Sequence, residues 1–205
     1  PGYDAVLQAL CGLMSINGDE CSGTTRVGMP IVDHLTGYVA LTGILMALVA
    51  RQASGKGQRL EATLYDTALS LLLPHASNWF ASKDSPRLLG SAHPNIAPYD
   101  KFRAQDGELF IGILNDAQFR RLGACLGLDQ LLEDERFASN SLRVANRAAL
   151  KAVIEAAIQD RACESLCETL MRSGVPAGAV NSVPQALAHA HCEHRDIVVR
   201  RGNYT

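Results

Sequence analysis

Arg26-Val-Gly-Met-Pro-Ile-Val-Asp33-His-Leu-Thr-Gly-Tyr38 joins a polar loop to an apolar run. Residues 34–50 behind Asp33 are nearly all apolar, so a helix is expected to begin there. Asp33 then has two readings. It is an N-cap whose carboxylate accepts bonds from the first free backbone N–H groups. Alternatively, the partial positive charge of the helix start keeps the carboxylate ionised, and it serves as a nucleophile. Spacing leaves both open. At seventeen residues the run approaches membrane-spanning length. Gly37 and Gly43, with Asp33 and Arg51 at the flanks, favour a buried core helix instead, and the glycines would let another backbone approach closely.

Working outward, apolar positions 6, 7, 10, 13 and 14 give residues 3–15 a helical period. A Gly-containing polar loop leads from them to Asp33. On the other side Ser54-Gly-Lys-Gly57 reads as a turn, residues 58–64 alternate as a strand does, and 65–82 form a helix kinked at Pro74. Residues 83–98 contain three prolines and no clear period, which reads as a linker. Strands are expected at 99–104 and 108–114, joined through Asp106-Gly107. Helices follow at 117–126, capped by Asn115 or Asp116, at 131–135, from an Asn140-Ser141 cap to about 159, and at 162–173, stopped by Gly174. A strand at 175–181, a helix at 184–191 capped by Ser182, and a last strand at 197–200 complete the reading. Strands alternating with helices place the fold in the α/β class.

The bulk properties exclude more than they identify. The 205 residues carry a formal charge of −2 at pH 7, against a nucleic-acid footprint, and are 47% hydrophobic, enough to bury a core. Pro1-Gly-Tyr-Asp reads like the interior of a domain, so a fragment is expected; no secretory signal opens it. None of the six cysteines forms a Cys-x-x-Cys pair, and Cys163 and Cys167 suit packing better than a bridge. Free buried cysteines fit a reducing compartment: the cytoplasm, or mitochondria or peroxisomes in a eukaryote. His189, His191, Cys192 and His194 cluster, but without a matching pair elsewhere they read as a solvated helix end and not a metal site. Ser54-Gly-Lys-Gly-Gln58 has the wrong spacing for a phosphate loop, and no Gly-x-Ser-x-Gly or Gly-x-Gly-x-x-Gly motif occurs.

The motifs gain specificity in order: Pro1-Gly-Tyr-Asp-Ala, Gly12-Leu-Met-Ser, Val27-Gly-x-Pro-x-x-Asp33, Ala53-Ser-Gly-Lys-Gly-Gln58, Leu64-Tyr-Asp-Thr-Ala68, His93-Pro-Asn-Ile-Ala-Pro-Tyr99, Asp106-Gly107 and Asn115-Asp-Ala-Gln-Phe119. The series resembles the family III CoA-transferases, the group that includes formyl-CoA transferase, carnitine CoA-transferases and α-methylacyl-CoA racemase. The resemblance implies the end of a Rossmann-like large domain at 1–82, a linker at 83–98, a small α/β domain at 99–181 and the start of a return segment at 182–205. It implies an interlocked homodimer of the intact protein, and no membrane or nucleic-acid partner. It also implies coenzyme A as a substrate, no permanently bound cofactor, and CoA transfer from an acyl-CoA to a carboxylic acid. Asp33 takes the nucleophile's place, and the piece alone is expected to be inactive. Tyr3 stands where the racemase branch has a histidine base, which disfavours a racemase, the alternative enzyme; a non-catalytic dimerisation module is the other. Asp116 keeps the acidic residue that racemases carry before Pro-Gln-Phe. Where several transferases have a glycine-run flap, residues 90–99 have one glycine and carry His93-Pro-Asn. Tyr3, His93 and Asn95 are therefore expected to contact substrate.

Overall fold

A computed structural model of the chain describes residues 2–199 and 201–202. It divides into two compact units, Pro1–Pro94 and Asn95–Thr205, and the division falls inside the Pro-rich 83–98 stretch.

In the first unit, α1 (Asp4–Leu10) is followed by a 3-10 turn at Leu13–Ile16, so the apolar period of 3–15 belongs to two pieces. Gly12, at φ 87°, separates them. A two-residue antiparallel ladder pairs β1 (Gly18–Asp19) with β2 (Gly23–Thr24). Then come α2 (Ile31–Ser54), α3 (Leu64–Ser70) and α4 (His75–Ser82). Leu7, Cys11, Leu13, Val32 and Ala68 form the core where α1, α3 and the start of α2 meet.

Three expectations for this unit need correction. Residues 58–63 form no strand: their alternation meets no partner edge among the described residues, and Thr63 instead caps α3 by accepting from the Asp66 N–H at 3.1 Å. The helix expected over 65–82 is two helices separated by a turn before Pro74, whose ring cannot continue the hydrogen-bond ladder. Finally, α2 is not buried within the chain. Of its residues only Val32 is buried, whereas Tyr38, Leu45, Met46 and Val49 are more than half exposed. Among the described residues no backbone approaches Gly37, and Gly43 meets only the Leu60 side chain.

The second unit is built on the antiparallel sheet β3 (Tyr99–Arg103), β4 (Glu108–Gly112) and β5 (Ala177–Ala179), in the order β3-β4-β5. The hairpin turns through residues 104–107, closed by the Ala104 N–H donating to the Gly107 carbonyl at 2.9 Å. Helices α5 (Asp116–Leu126), α6 (Asp129–Glu133), α7 (Asn140–Ala145), α8 (Arg147–Ile158) and α9 (Cys163–Arg172) lie between β4 and β5 in the chain. Leu109, Ile111, Leu122, Leu150, Ile154, Leu166 and Leu170 are the centre of their shared core. Asn115 caps α5 by accepting from the Gln118 N–H at 2.9 Å. The single helix expected from 140 to 159 is broken at Asn146, whose side-chain amide donates to the Leu142 and Arg136 carbonyls and competes with the ladder. Its cap is Ser139, one residue earlier than expected. Gly174 ends α9 at φ 74°, with the Val175 N–H returning to the Leu170 carbonyl.

Ser182 and Gln185 make a reciprocal capping box on α10 (Val183–Leu187), and α11 (Ala190–His194) follows. The helix expected over 184–191 is thus two short ones. Residues 197–199 are not a strand, and Arg200 lies outside the described residues. The chain mixes α and β elements with small antiparallel sheets.

Candidate active site

The site grows from the requirement that the first N–H groups of a helix find acceptors outside the helix. In α2 Asp33 is the third helical residue and not the N-cap. Pro30 holds the cap position and offers no side-chain acceptor. The Ile31 N–H donates to the Met29 carbonyl at 2.9 Å and the His34 N–H to the Pro30 carbonyl at 3.1 Å. The two N–H groups between them, on Val32 and Asp33, both donate to Oδ1 of Asp4, at 2.8 and 3.2 Å. The capping carboxylate thus comes from the start of α1, 28 residues earlier.

Asp4 is itself fixed. Its Oδ2 accepts from Gln8 Nε2 at 2.7 Å, one helical turn on. Gln8, at 0% exposure, accepts the Val27 N–H on its Oε1 at 2.8 Å and donates to the Met29 carbonyl at 3.4 Å. Two buried polar side chains thereby hold residues 27–33 from beneath. With these amides engaged, Asp33 is exposed, and its carboxylate accepts no hydrogen bond and joins no ion pair among the described residues. The N-cap reading of Asp33 is wrong; Asp4 does that work.

Tyr3 is the N-cap residue of α1, next to Asp4, and its side chain is 80% exposed. Tyr3 and Asp33 therefore flank one junction between α1 and α2. His93 is half-buried in the same unit, on a segment tied to β1 by the Gly90 N–H donating to the Gly18 carbonyl at 2.8 Å. It faces His75, whose pKa is lowered by burial first and by the charge of His93 second. Asn95 belongs to the second unit, where its carbonyl accepts from Asn140 Nδ2 at 2.8 Å. Asp116 is engaged by Arg143, whose NH2 donates to Oδ1 at 2.7 Å. His189 caps α11, its Nδ1 accepting from the His191 N–H. Among the described residues no three His, Cys, Asp or Glu side chains converge as a metal site.

Sequence reasoning singled out Asp33 and passed over Asp4 and Gln8. A signal existed: positions 4, 7, 8 and 11 share a helix face with apolar Leu7 and Cys11, and polar residues on a buried face need partners.

Comparison with known proteins decides the family. The profile of CoA-transferase family III matches residues 1–204. The chain belongs to CoA-transferase family III. It is 34% identical over 198 residues to the succinate–glutarate CoA-transferase of Agrobacterium fabrum, covering 97% of this chain and 50% of that one. It is 34% identical over 203 residues to the acetyl-CoA:oxalate CoA-transferase of Acetobacter aceti, covering 98% and 52%. Among solved structures, a CAIB/BAIF family protein from Brucella suis superposes with a TM-score of 0.77 at 36% identity, over 99% of this chain and 57% of that one. Rv3272 from Mycobacterium tuberculosis, at 24% identity and a TM-score of 0.84 over 98% and 52%, shares the fold. The chain spans about half the length of the curated relatives it matches.

Proposed function

We propose that the intact protein moves CoA from an acyl-CoA thioester to a free carboxylic acid, with Asp33 as nucleophile. One observation carries this reading: the Asp33 backbone is pinned by a buried carboxylate while its own carboxylate stays exposed and unengaged. The Asp33 carboxylate attacks the thioester carbonyl, the C–S bond breaks, and CoA leaves as a thiolate, giving an acyl-aspartyl anhydride. The thiolate attacks the aspartyl carbonyl, releasing the donor acid and leaving an aspartyl–CoA thioester. The acceptor carboxylate displaces the thiolate to form a second anhydride. The thiolate then takes the acceptor's acyl carbon and frees Asp33. Every step exchanges one acyl bond for another, so neither an oxidant nor a permanent cofactor enters, and covalent relay divides the exchange into easier steps. The oxyanion of each tetrahedral intermediate needs donors. The first four N–H groups of α2 already have acceptors, so those donors come from elsewhere.

The acceptor class we propose is a short dicarboxylic acid. The relatives named for glutarate and oxalate support it, since each of those acids carries two carboxylates. A racemase gains no support, because Tyr3 offers a phenol, a poor general base at neutral pH, where that branch has a histidine. We also place the intact protein as an interlocked homodimer, cytoplasmic or organellar, and the 205-residue piece as inactive alone.

Asp33→Asn in the full-length protein tests the mechanism. Asp33 caps nothing, so thermal stability should hold within about 0.5 kcal/mol, the usual range for exposed substitutions. CoA exchange should collapse, because an amide is a weak nucleophile. Mass spectrometry of wild type after incubation with succinyl-CoA should show an adduct on the Asp33 peptide that hydroxylamine releases. An active Asp33→Asn enzyme removes the nucleophile from this account.

A further inference from the structure

We infer that Asp4, steadied by Gln8, is a positioning residue that keeps the Asp33 carboxylate available for attack. The inference rests on Asp33 being the nucleophile. An aspartate in the first turn of a helix ordinarily turns back onto the unpaired N–H groups there, because the helix start attracts its charge. A carboxylate held by backbone N–H groups is less basic, and so a poorer nucleophile. Here the two amides that Asp33 would engage, those of Val32 and Asp33 itself, are occupied by Asp4 Oδ1.

The arrangement is built to stay occupied. Asp4 is 7% exposed, and its second oxygen is held by Gln8, which is wholly enclosed. Gln8 can present its amide to Asp4 only in the orientation that gives its oxygen to the Val27 N–H. Capping the helix from outside thus leaves its third residue exposed for chemistry. Asp4 touches no substrate in this account; it acts through Asp33.

Three variants of the full-length protein test the inference, read by steady-state kinetics, adduct formation on Asp33 and thermal unfolding. Asp4→Ala frees both amides, so Asp33 should turn back onto them. kcat and the rate of adduct formation should fall by about 100-fold, with KM within about threefold, as for a misplacement of about an ångström. Asp4→Asn keeps an oxygen for the amides but sets an NH2 group against that of Gln8, so it should recover part of the loss. Gln8→Met keeps Asp4 but removes its tether, and should lower kcat by about tenfold on the same argument. If Asp4→Ala does not fold, Gln8→Met and Asp4→Asn carry the test.

Folded variants with wild-type kcat and adduct rates overturn the inference, as does a loss confined to KM or to thermal stability. The control is Asp33→Asn. An inactive Asp33→Asn beside a fully active Asp4→Ala overturns the positioning role and leaves the nucleophile standing. An active Asp33→Asn overturns both.

Discussion

Arg143 is the most informative single side chain of the second unit. It is 2% exposed, yet each nitrogen of its guanidinium has a partner: Nε donates to the Ala97 carbonyl at 2.9 Å, NH1 to the Phe137 carbonyl at 3.1 Å, and NH2 to Asp116. It also lies 4.4 Å from the Phe119 ring centroid. Asp116 is mostly exposed, so the ion pair itself contributes little; the two carbonyls count for more. Arg143→Met fills similar volume but leaves those carbonyls without a donor, and should lower the unfolding free energy by about 3 kcal/mol in urea titrations. Cys167 gives a pH test. Burial first, and the neighbouring Cys163 second, push its thiol from an ordinary value of 9.0 up to about 11. The native state therefore holds the proton where the unfolded chain has released it. Its contribution is complete below pH ~9 and is lost as pH rises through about 11. Stability should fall across that window more steeply in wild type than in Cys167→Ala. At neutral pH, Cys163 and Cys167 should resist iodoacetamide until the protein unfolds.

At the scale of elements, the same device appears twice. As Asp4 caps α2, so Asp106, in the β3–β4 turn, caps α9: its Oδ1 accepts the Cys163 N–H at 2.7 Å, where Ala162 offers no side chain. Asp106→Ala should cost about 1 kcal/mol, the usual loss of a cap, read by thermal unfolding, with the hairpin retained. These remote caps show where sequence reading succeeds and where it stops. Local chemistry was legible: Asn115 and Ser182 as caps, Gly174 as a stop, and the hairpin. Asp4 and Asp106 were not, because their partners lie 28 and 57 residues away and no periodicity carries that distance. The alternation of 58–63 misled for the opposite reason. It satisfies a local pattern, but a strand exists only against a partner edge. The breaks at Pro74 and Asn146 turned one expected helix into two each time, since an apolar period runs across a break unaltered.

For the whole molecule, α2 poses the open physical demand. Tyr38, Val39, Leu41, Ile44, Leu45, Met46, Leu48 and Val49 are all exposed, and they spread over most of the helix circumference. A helix apolar on nearly every side is stable only in a protein core or in lipid. Its 24 residues are long and apolar enough to cross a membrane by length and composition alone. Its polar and small residues suit burial in either medium. Thr36, Thr42 and Ser54 return their hydroxyls to carbonyls four residues back, while Gly37 and Gly43 leave room for close backbone packing. Relatives about twice as long have the chain to supply that packing. Leu45→Asp and Met46→Asp in the full-length protein should therefore behave as core substitutions. Each should cost about 3 kcal/mol or more, from lost apolar burial plus an enclosed carboxylate, against about 0.5 kcal/mol for a surface site. Amides across the middle of α2 should exchange slowly in deuterium in the full-length protein and faster in the 205-residue piece. The full-length protein should also stay in solution without detergent and fail to float with phosphatidylcholine vesicles. Neutral aspartate variants or vesicle flotation would assign the helix to water or lipid and remove it from the protein core.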